Sequence, residues 1–154
     1  MCFIKNFLLV LLAGFAISSF AEKTAKNIEF VHEPVTEAKA GERVRLRIRV
    51  NEADHFDIAR LYFKSNIADD YNFVIADSLG SYSYIAELPA ATEQISKIKY
   101  LFLFKAKTGE IIKTQVFEYK ISGLSTISTS KSPIQVYSEL DKAPKKIEGF
   151  DDNI

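Results

Sequence analysis

The chain has one cysteine, one methionine, two histidines and no tryptophan in 154 residues. The cysteine is Cys2, so no intramolecular disulfide and no cysteine-based metal site can form. Lys and Arg number 20 and Asp and Glu number 20, a formal net charge of zero. No bulk charge therefore draws the chain to nucleic acid or to an anionic membrane. The longest apolar run covers residues 7–17, 11 residues against the ~20 that a membrane-spanning helix needs. No G-x-S-x-G occurs. Ser128-Thr129-Ser130-Lys131 and Lys107-Thr108-Gly109 match two fragments of a penicillin-interacting signature, but in reversed order and without S-D-N. Of the two histidines, His32 adjoins Glu33 and His55 falls in a loop, and neither belongs to a nucleophilic triad pattern.

The N-terminus carries an address. Lys5 precedes the apolar run, and Ser19 and Ala21 supply small residues before the polar Glu22-Lys23-Thr24. Residues 1–21 therefore read as a cleavable signal-peptide helix, too short for an anchor. Cleavage removes the only cysteine and one lysine, leaving a chain of net charge −1 without disulfides. Cys2 lies at the wrong end of the segment for a lipoprotein anchor. Of 19 Phe and Tyr residues, 15 remain after cleavage, enough to fill one core.

Period-two alternation dominates the rest of the chain. In Arg43-Val44-Arg45-Leu46-Arg47-Ile48-Arg49-Val50 the apolar residues share one face and the arginines the other, the pattern of a half-buried antiparallel strand. Further strands are predicted at 28–31, 58–64, 71–76, 82–88, 98–106 and 111–121. Ala59, Leu61 and Phe63 fall on one face, as do Tyr82, Tyr84, Ala86 and Leu88, and then Ile98, Tyr100, Phe102 and Phe104. Seven short strands with turns between them predict a single antiparallel β-sandwich, with a small barrel as the competing architecture. Residues 123–132 hold four Ser, two Thr and one Gly, a linker composition. Residues 27–122 are thus expected to form the domain, and 123–154 a linker and flexible tail. The end at Ile154 reads as a place where the chain was cut or continues in related proteins.

Several segments carry a resemblance: Glu33-Pro34-Val35, Gly41-Glu42, Ala59-Arg60-Leu61-Tyr62-Phe63, Gly80-Ser81-Tyr82-Ser83-Tyr84 with Leu88-Pro89, and residues 100–109. Together they resemble an immunoglobulin-like or fibronectin-III-like sandwich of an uncharacterised exported protein of the Gram-negative envelope. An antibody-type domain is excluded, because both the cysteine pair and the tryptophan are missing. The resemblance implies a fold and leaves function open, since such modules serve as spacers, adhesins and binding domains.

Three surface features are candidates for function. Arg43, Arg45, Arg47 and Arg49 form a row that would clamp an anionic glycan, lipid or protein edge, unless cross-strand acids such as Glu87 neutralise it. Glu52, Asp54 and Asp57, in the segment 51–57, are a candidate Ca²⁺ loop without the spacing of a dedicated one. Exposed aromatics for carbohydrate binding are few, because most Tyr and Phe sit at the inward phase. The sequence therefore predicts a non-catalytic exported β-sandwich. Its expected role is protein interaction or spacing in the bacterial cell envelope, with anionic glycan or lipid binding as the alternative. A hydrolase with an unrecognised site is the alternative of a different class. The expected partner is a protein or envelope component; no cofactor, no nucleic acid and no transmembrane span after cleavage are expected. Periplasm, outer membrane and medium remain equally open.

Overall fold

The structure is a computed structural model that describes residues 28–51, 56–125, 132–141 and 143–154. The signal segment, His55, Glu52, Asp54 and the Ser128–Lys131 tetrad lie outside the described residues.

Among the described residues ten strands form two sheets. One is β1 (Phe30–His32), β3 (Val44–Val50), β7 (Ser83–Leu88) and β6 (Asp77–Ser78), in spatial order β1-β3-β7-β6. The other is β2 (Glu37–Ala40), β10 (Phe117–Leu124), β8 (Lys97–Ala106), β4 (Phe56–Ser65) and β5 (Asn72–Ile75), in order β2-β10-β8-β4-β5. The short β9 (Ile111–Lys113) pairs with the far end of β8. With β1, β3, β4, β6, β7, β8 and β10 as A to G, these are the A-B-E-D and G-F-C sheets of an immunoglobulin-like sandwich. The predicted all-β sandwich is therefore the observed fold.

Each sheet hides one face. In β3, Val44, Leu46, Ile48 and Val50 are buried and Arg45, Arg47 and Arg49 exposed, as the alternation requires. In β8, Ile98, Tyr100, Phe102 and Phe104 are all fully buried. Phe104 is the hub of an aromatic cluster, 5.1 Å from Phe30, 4.8 Å from Phe56 and 5.3 Å from Tyr84 between ring centroids. Each such side chain contributes ~1.5–3 kcal/mol on burial. That is how a core without disulfides is sustained.

The structure corrects the expected strands in three places. β2 was not foreseen, because Glu-Ala-Lys-Ala carries little apolar signal; it exists by lying parallel to β10, Ala38 opposite Ile121. It is the one parallel pair among the named strands. The single strand expected over 111–121 is two. Phe104 faces Ile112 and Tyr100 faces Phe117, so the second strand holds one extra residue. Thr114 absorbs it, exchanging hydrogen bonds with the Phe102 backbone through its own N–H and its Oγ1. Tyr82, expected at the inward phase, precedes β7 and is exposed.

The largest correction concerns the tail. β10 runs to Leu124, beyond the expected domain end, and the C-terminal segment docks on the sandwich through Ile134, Val136, Ile147 and Phe150. Val136 is fully buried and Phe150 is 4% exposed, its ring 5.5 Å from Phe63. Tyr137 and Phe73 exchange backbone hydrogen bonds of 2.9 and 2.8 Å, covering the outer edge of β5 at that point. Ile134 bridges Asn153, and Phe150 bridges Ala91. Gly149 has φ +83°, and a Cβ there would fall 2.7 Å from Ile95 Cδ1, so only glycine fits this approach. A Ser-rich composition signals the start of a linker; it says nothing about the apolar residues after it.

Phe150→Ala is expected to lower stability by about 3 kcal/mol, the usual cost of emptying a buried phenylalanine site. Leu140→Ala, at a residue 94% exposed, is expected to change it by less than about 0.5 kcal/mol. Urea denaturation of both variants checks the contrast. Equal, small effects would mean that the C-terminal segment is not part of the core.

Candidate functional site

The four arginines do not form one row. Arg43 leads into β3 and turns towards the C-terminal segment, its side chain 9% exposed. Its Nε donates to Asp152, its Nη1 lies 3.4 Å from Glu87 Oε2, and its Nη2 donates to the Ser132 carbonyl at 2.5 Å. Asp152 also accepts the Ala90 N–H at 2.6 Å. Arg43 is thus a clasp between sandwich and C-terminal segment, and it offers nothing to a ligand. Arg45 remains exposed but lies 3.3 Å from Glu87, its cross-strand partner.

Arg47 and Arg49 differ. Both are exposed, and among the described residues neither has an acidic partner. The register sets Val31 and Ser83 beside Arg49, and Ile85 beside Arg47. Val31 is 57% exposed. The outward face of this sheet therefore combines two free guanidiniums with apolar surface.

A second feature escaped the sequence reading. A cleft of about 880 Å³ opens between β4, the β5 edge and residues 137–141. Phe56, Ile58, Phe73 and Tyr137 supply apolar wall, and Asp57, Arg60 and Glu139 supply charge. Arg60 sits 4.1 Å over the Phe73 ring, and its Nη1 lies 3.1 Å from Tyr62 Oη and 3.4 Å from Glu139. Tyr62 in turn donates to Glu139. Phe73 and Tyr137 stack at 5.5 Å. One wall comes from the segment expected to be a tail, so no local motif announces the cleft. Asp57, the one described residue of the three candidate Ca²⁺ ligands, is exposed at this rim. Among the described residues no three His, Cys, Asp or Glu side chains converge as metal ligands.

His32 is half-buried between aromatic rings. Its Nδ1 is 2.6 Å from the Arg47 carbonyl, which only accepts, so Nδ1 carries the proton. Its Nε2 is 2.8 Å from Tyr100 Oη, and in the neutral ring it accepts the phenol proton. Phe117 and Phe102 pack around it at 4.7 and 5.4 Å. Burial pushes the Tyr100 phenol up to about 12, partly offset by a backbone hydrogen bond from Val35. Burial also raises Tyr119, whose hydroxyl has no partner among the described residues, and nearby Tyr100 adds to the effect.

The strand order and register define the class: an immunoglobulin-like, fibronectin-III-like β-sandwich. No family model matches the chain, and no curated protein matches it. Among solved structures, it is similar to the fibronectin(III)-like modules of Clostridium thermocellum CbhA, at 12% identity and a TM-score of 0.38. That match covers 70% of this chain and 60% of the other, so the chain spans less than two thirds of that structure's length.

Two outcomes are expected. Arg43→Ala should cost about 2 kcal/mol in chemical denaturation, because it takes the guanidinium from Asp152 and the donor from the Ser132 carbonyl, while Arg49→Ala should be near neutral. Reversed magnitudes would refute the clasp. The second concerns alkaline pH. Raised folded values mean that the fold favours neutral phenols. Their stabilisation is fully present below pH 10, the ordinary tyrosine value, and is lost as pH rises from 10 through about 12. Unfolding midpoints measured from pH 8 to 12 should fall above 10, with tyrosinate absorbance rising as the chain unfolds. A flat profile would contradict it.

Proposed function

We propose that this chain is a non-catalytic interaction module, exported to the bacterial cell envelope, that meets its partner through the outer face of the β1-β3-β7-β6 sheet. The observation that carries the reading is the pair Arg47 and Arg49, exposed and without acidic partners among the described residues, beside Val31 and Ile85. Arginine bordered by apolar side chains is the composition that interface centres favour. A pure spacer has no use for two unpaired guanidiniums when Glu87 shows how such charges are neutralised in the same sheet. Residues 1–21 supply the export reading. The sandwich supplies a rigid platform, and the clasp at Arg43 fixes the C-terminal segment at the start of β3.

The second reading is an anionic glycan or lipid as ligand. Guanidinium groups pair bidentately with phosphate and carboxylate, and Arg47 and Arg49 stand one strand repeat apart, ~7 Å, on one face.

One double variant, Arg47→Ser with Arg49→Ser, tests both. A photo-crosslinking residue at position 47 in the native host should give a discrete protein adduct under the interaction reading, and the double variant should abolish partner retention. Under the second reading no protein adduct forms. Retention on immobilised lipopolysaccharide should instead drop on the order of tenfold, and more steeply at low salt. A variant that loses neither behaviour would leave only the spacer.

A further inference from the structure

We infer that the opposite sheet carries a separate binding site for a single tetrahedral oxyanion, a phosphate or sulfate group, formed by Lys64, Lys97 and Lys99 at the end of β4 and β8. The inference is independent of the arginine face, since the residues lie on the other side of the sandwich.

The argument begins with register. Lys64 and Lys99 are Cα partners in the antiparallel pair β4–β8, so two like charges stand directly opposite on one face. That arrangement costs stability in a sheet and is normally avoided. Lys97 lies two residues from Lys99 and so shares its face, with Lys120 opposite it on β10. Glu118 is the acid in this group. It stands opposite Lys99 in register, yet its carboxylate pairs with Lys97 at 3.0 Å. Glu37, opposite Lys120, accepts a hydrogen bond from Ser122 instead. Lys64 is 3.3 Å from the Asp69 carbonyl and 5.4 Å from the Tyr71 ring centre, which holds its ammonium at the rim without neutralising it. Among the described residues Lys99 has no acidic partner.

These lysines surround a cavity of about 250 Å³, whose other walls are Ser65, Asn66 and Ala68. Among the described residues no acid lines it. At roughly 30 Å³ per water, this space suits one tetrahedral oxyanion with a few waters and not a polymer chain. Ser65 lies opposite the fully buried Ile98 in register, so its side chain takes the core face, away from the three lysines. Asn66 is locked: its side-chain oxygen accepts the Ser96 and Lys97 N–H groups at 2.9 and 3.2 Å, and its own N–H bonds the Lys97 carbonyl. The floor is therefore rigid before any ligand arrives. An oxyanion would relieve the Lys64–Lys99 repulsion. A phosphate group reaches this site either free in solution or on a lipid headgroup.

Inorganic phosphate is titrated into the folded full chain and followed by amide NMR. Saturable shifts are expected at 65, 66, 68, 97 and 99, and not at Lys113 on the same sheet. Lys64→Gln with Lys99→Gln should weaken binding on the order of tenfold or more, the effect of losing charge-assisted hydrogen bonds. The thermal midpoint should hold or rise, because the opposed charges are gone. Should the double variant misfold, Lys99→Gln alone, at an exposed position, serves in its place. Flotation with phosphatidylcholine vesicles, with and without phosphatidylglycerol, separates the sources. Lysine-dependent vesicle binding assigns the lipid headgroup, and phosphate shifts without it assign the free ion. The site is refuted if neither probe binds, or if binding survives the lysine variants. It is equally refuted if binding is lost in Arg47→Ser with Arg49→Ser.

Discussion

Everything in this molecule depends on β8 being buried along one face and covered from two directions. Ile98, Tyr100, Phe102 and Phe104 meet β3 and β7 from the facing sheet, while β4 and β10 flank them in their own. With its only cysteine at position 2, the chain has no internal disulfide to fall back on. Removal of apolar surface from water must then offset the whole conformational entropy of a fold built on long-range strand pairing. The aromatic content answers that demand: Phe and Tyr bury more area per residue than aliphatic side chains, and their edge-to-face contacts add directionality. The same face holds the polar exceptions. The half-buried His32 and the buried Tyr100 hydroxyl satisfy one another, so the phenol does not enter the core unpaired.

The central sheet residues were readable in advance because strand periodicity is a local signal. Val44 to Val50, Ala59 to Phe63 and Ile98 to Phe104 point where a simple count of twos places them. The failures share one cause, dependence on partners distant in sequence. β2 is a strand only because β10 lies beside it. Thr114 ends β9 only because Phe102 takes its hydrogen bonds. Val136 and Phe150 reach the core only because the sandwich has an open end between the β4–β5 and β7–β8 connections. No window of sequence contains those facts. Gly149 is the nearest thing to a clue, since a glycine between Glu148 and Phe150 marks a tight turn, but a turn in a tail and a turn against Ile95 look alike from sequence.

The arginine row shows the same limit from the functional side. Alternation places four guanidiniums on one face and cannot say which are spent. Glu87 and Asp152 decide that: the first is a strand neighbour that could be anticipated, the second lies more than a hundred residues away and could not. Arg43 becomes architecture, Arg45 is shared, and Arg47 and Arg49 are left. The cleft lined by Phe73 and Tyr137 was invisible for a related reason, since its second wall was expected to be a tail.

A net charge of zero also conceals a separation of charge that bears on both proposed surfaces. Outward positions on the sheets carry many Arg and Lys with fewer acids, Glu37, Asp57, Asp77, Glu87 and Glu118, whereas other exposed acids, Asp69, Asp70, Glu93, Glu148 and Asp151, fall in the connections at the ends. Because exposed charges interact over about a Debye length, ~8 Å at physiological salt, acids at the ends do little to neutralise the middle of a sheet face. The unpaired positive charge is therefore confined to small clusters, Arg47 with Arg49 and Lys64 with Lys99. Bulk charge argued against binding to polyanions as a class. The geometry narrows that argument: it holds for the molecule seen from afar and fails at the distances at which a guanidinium or ammonium meets a phosphate.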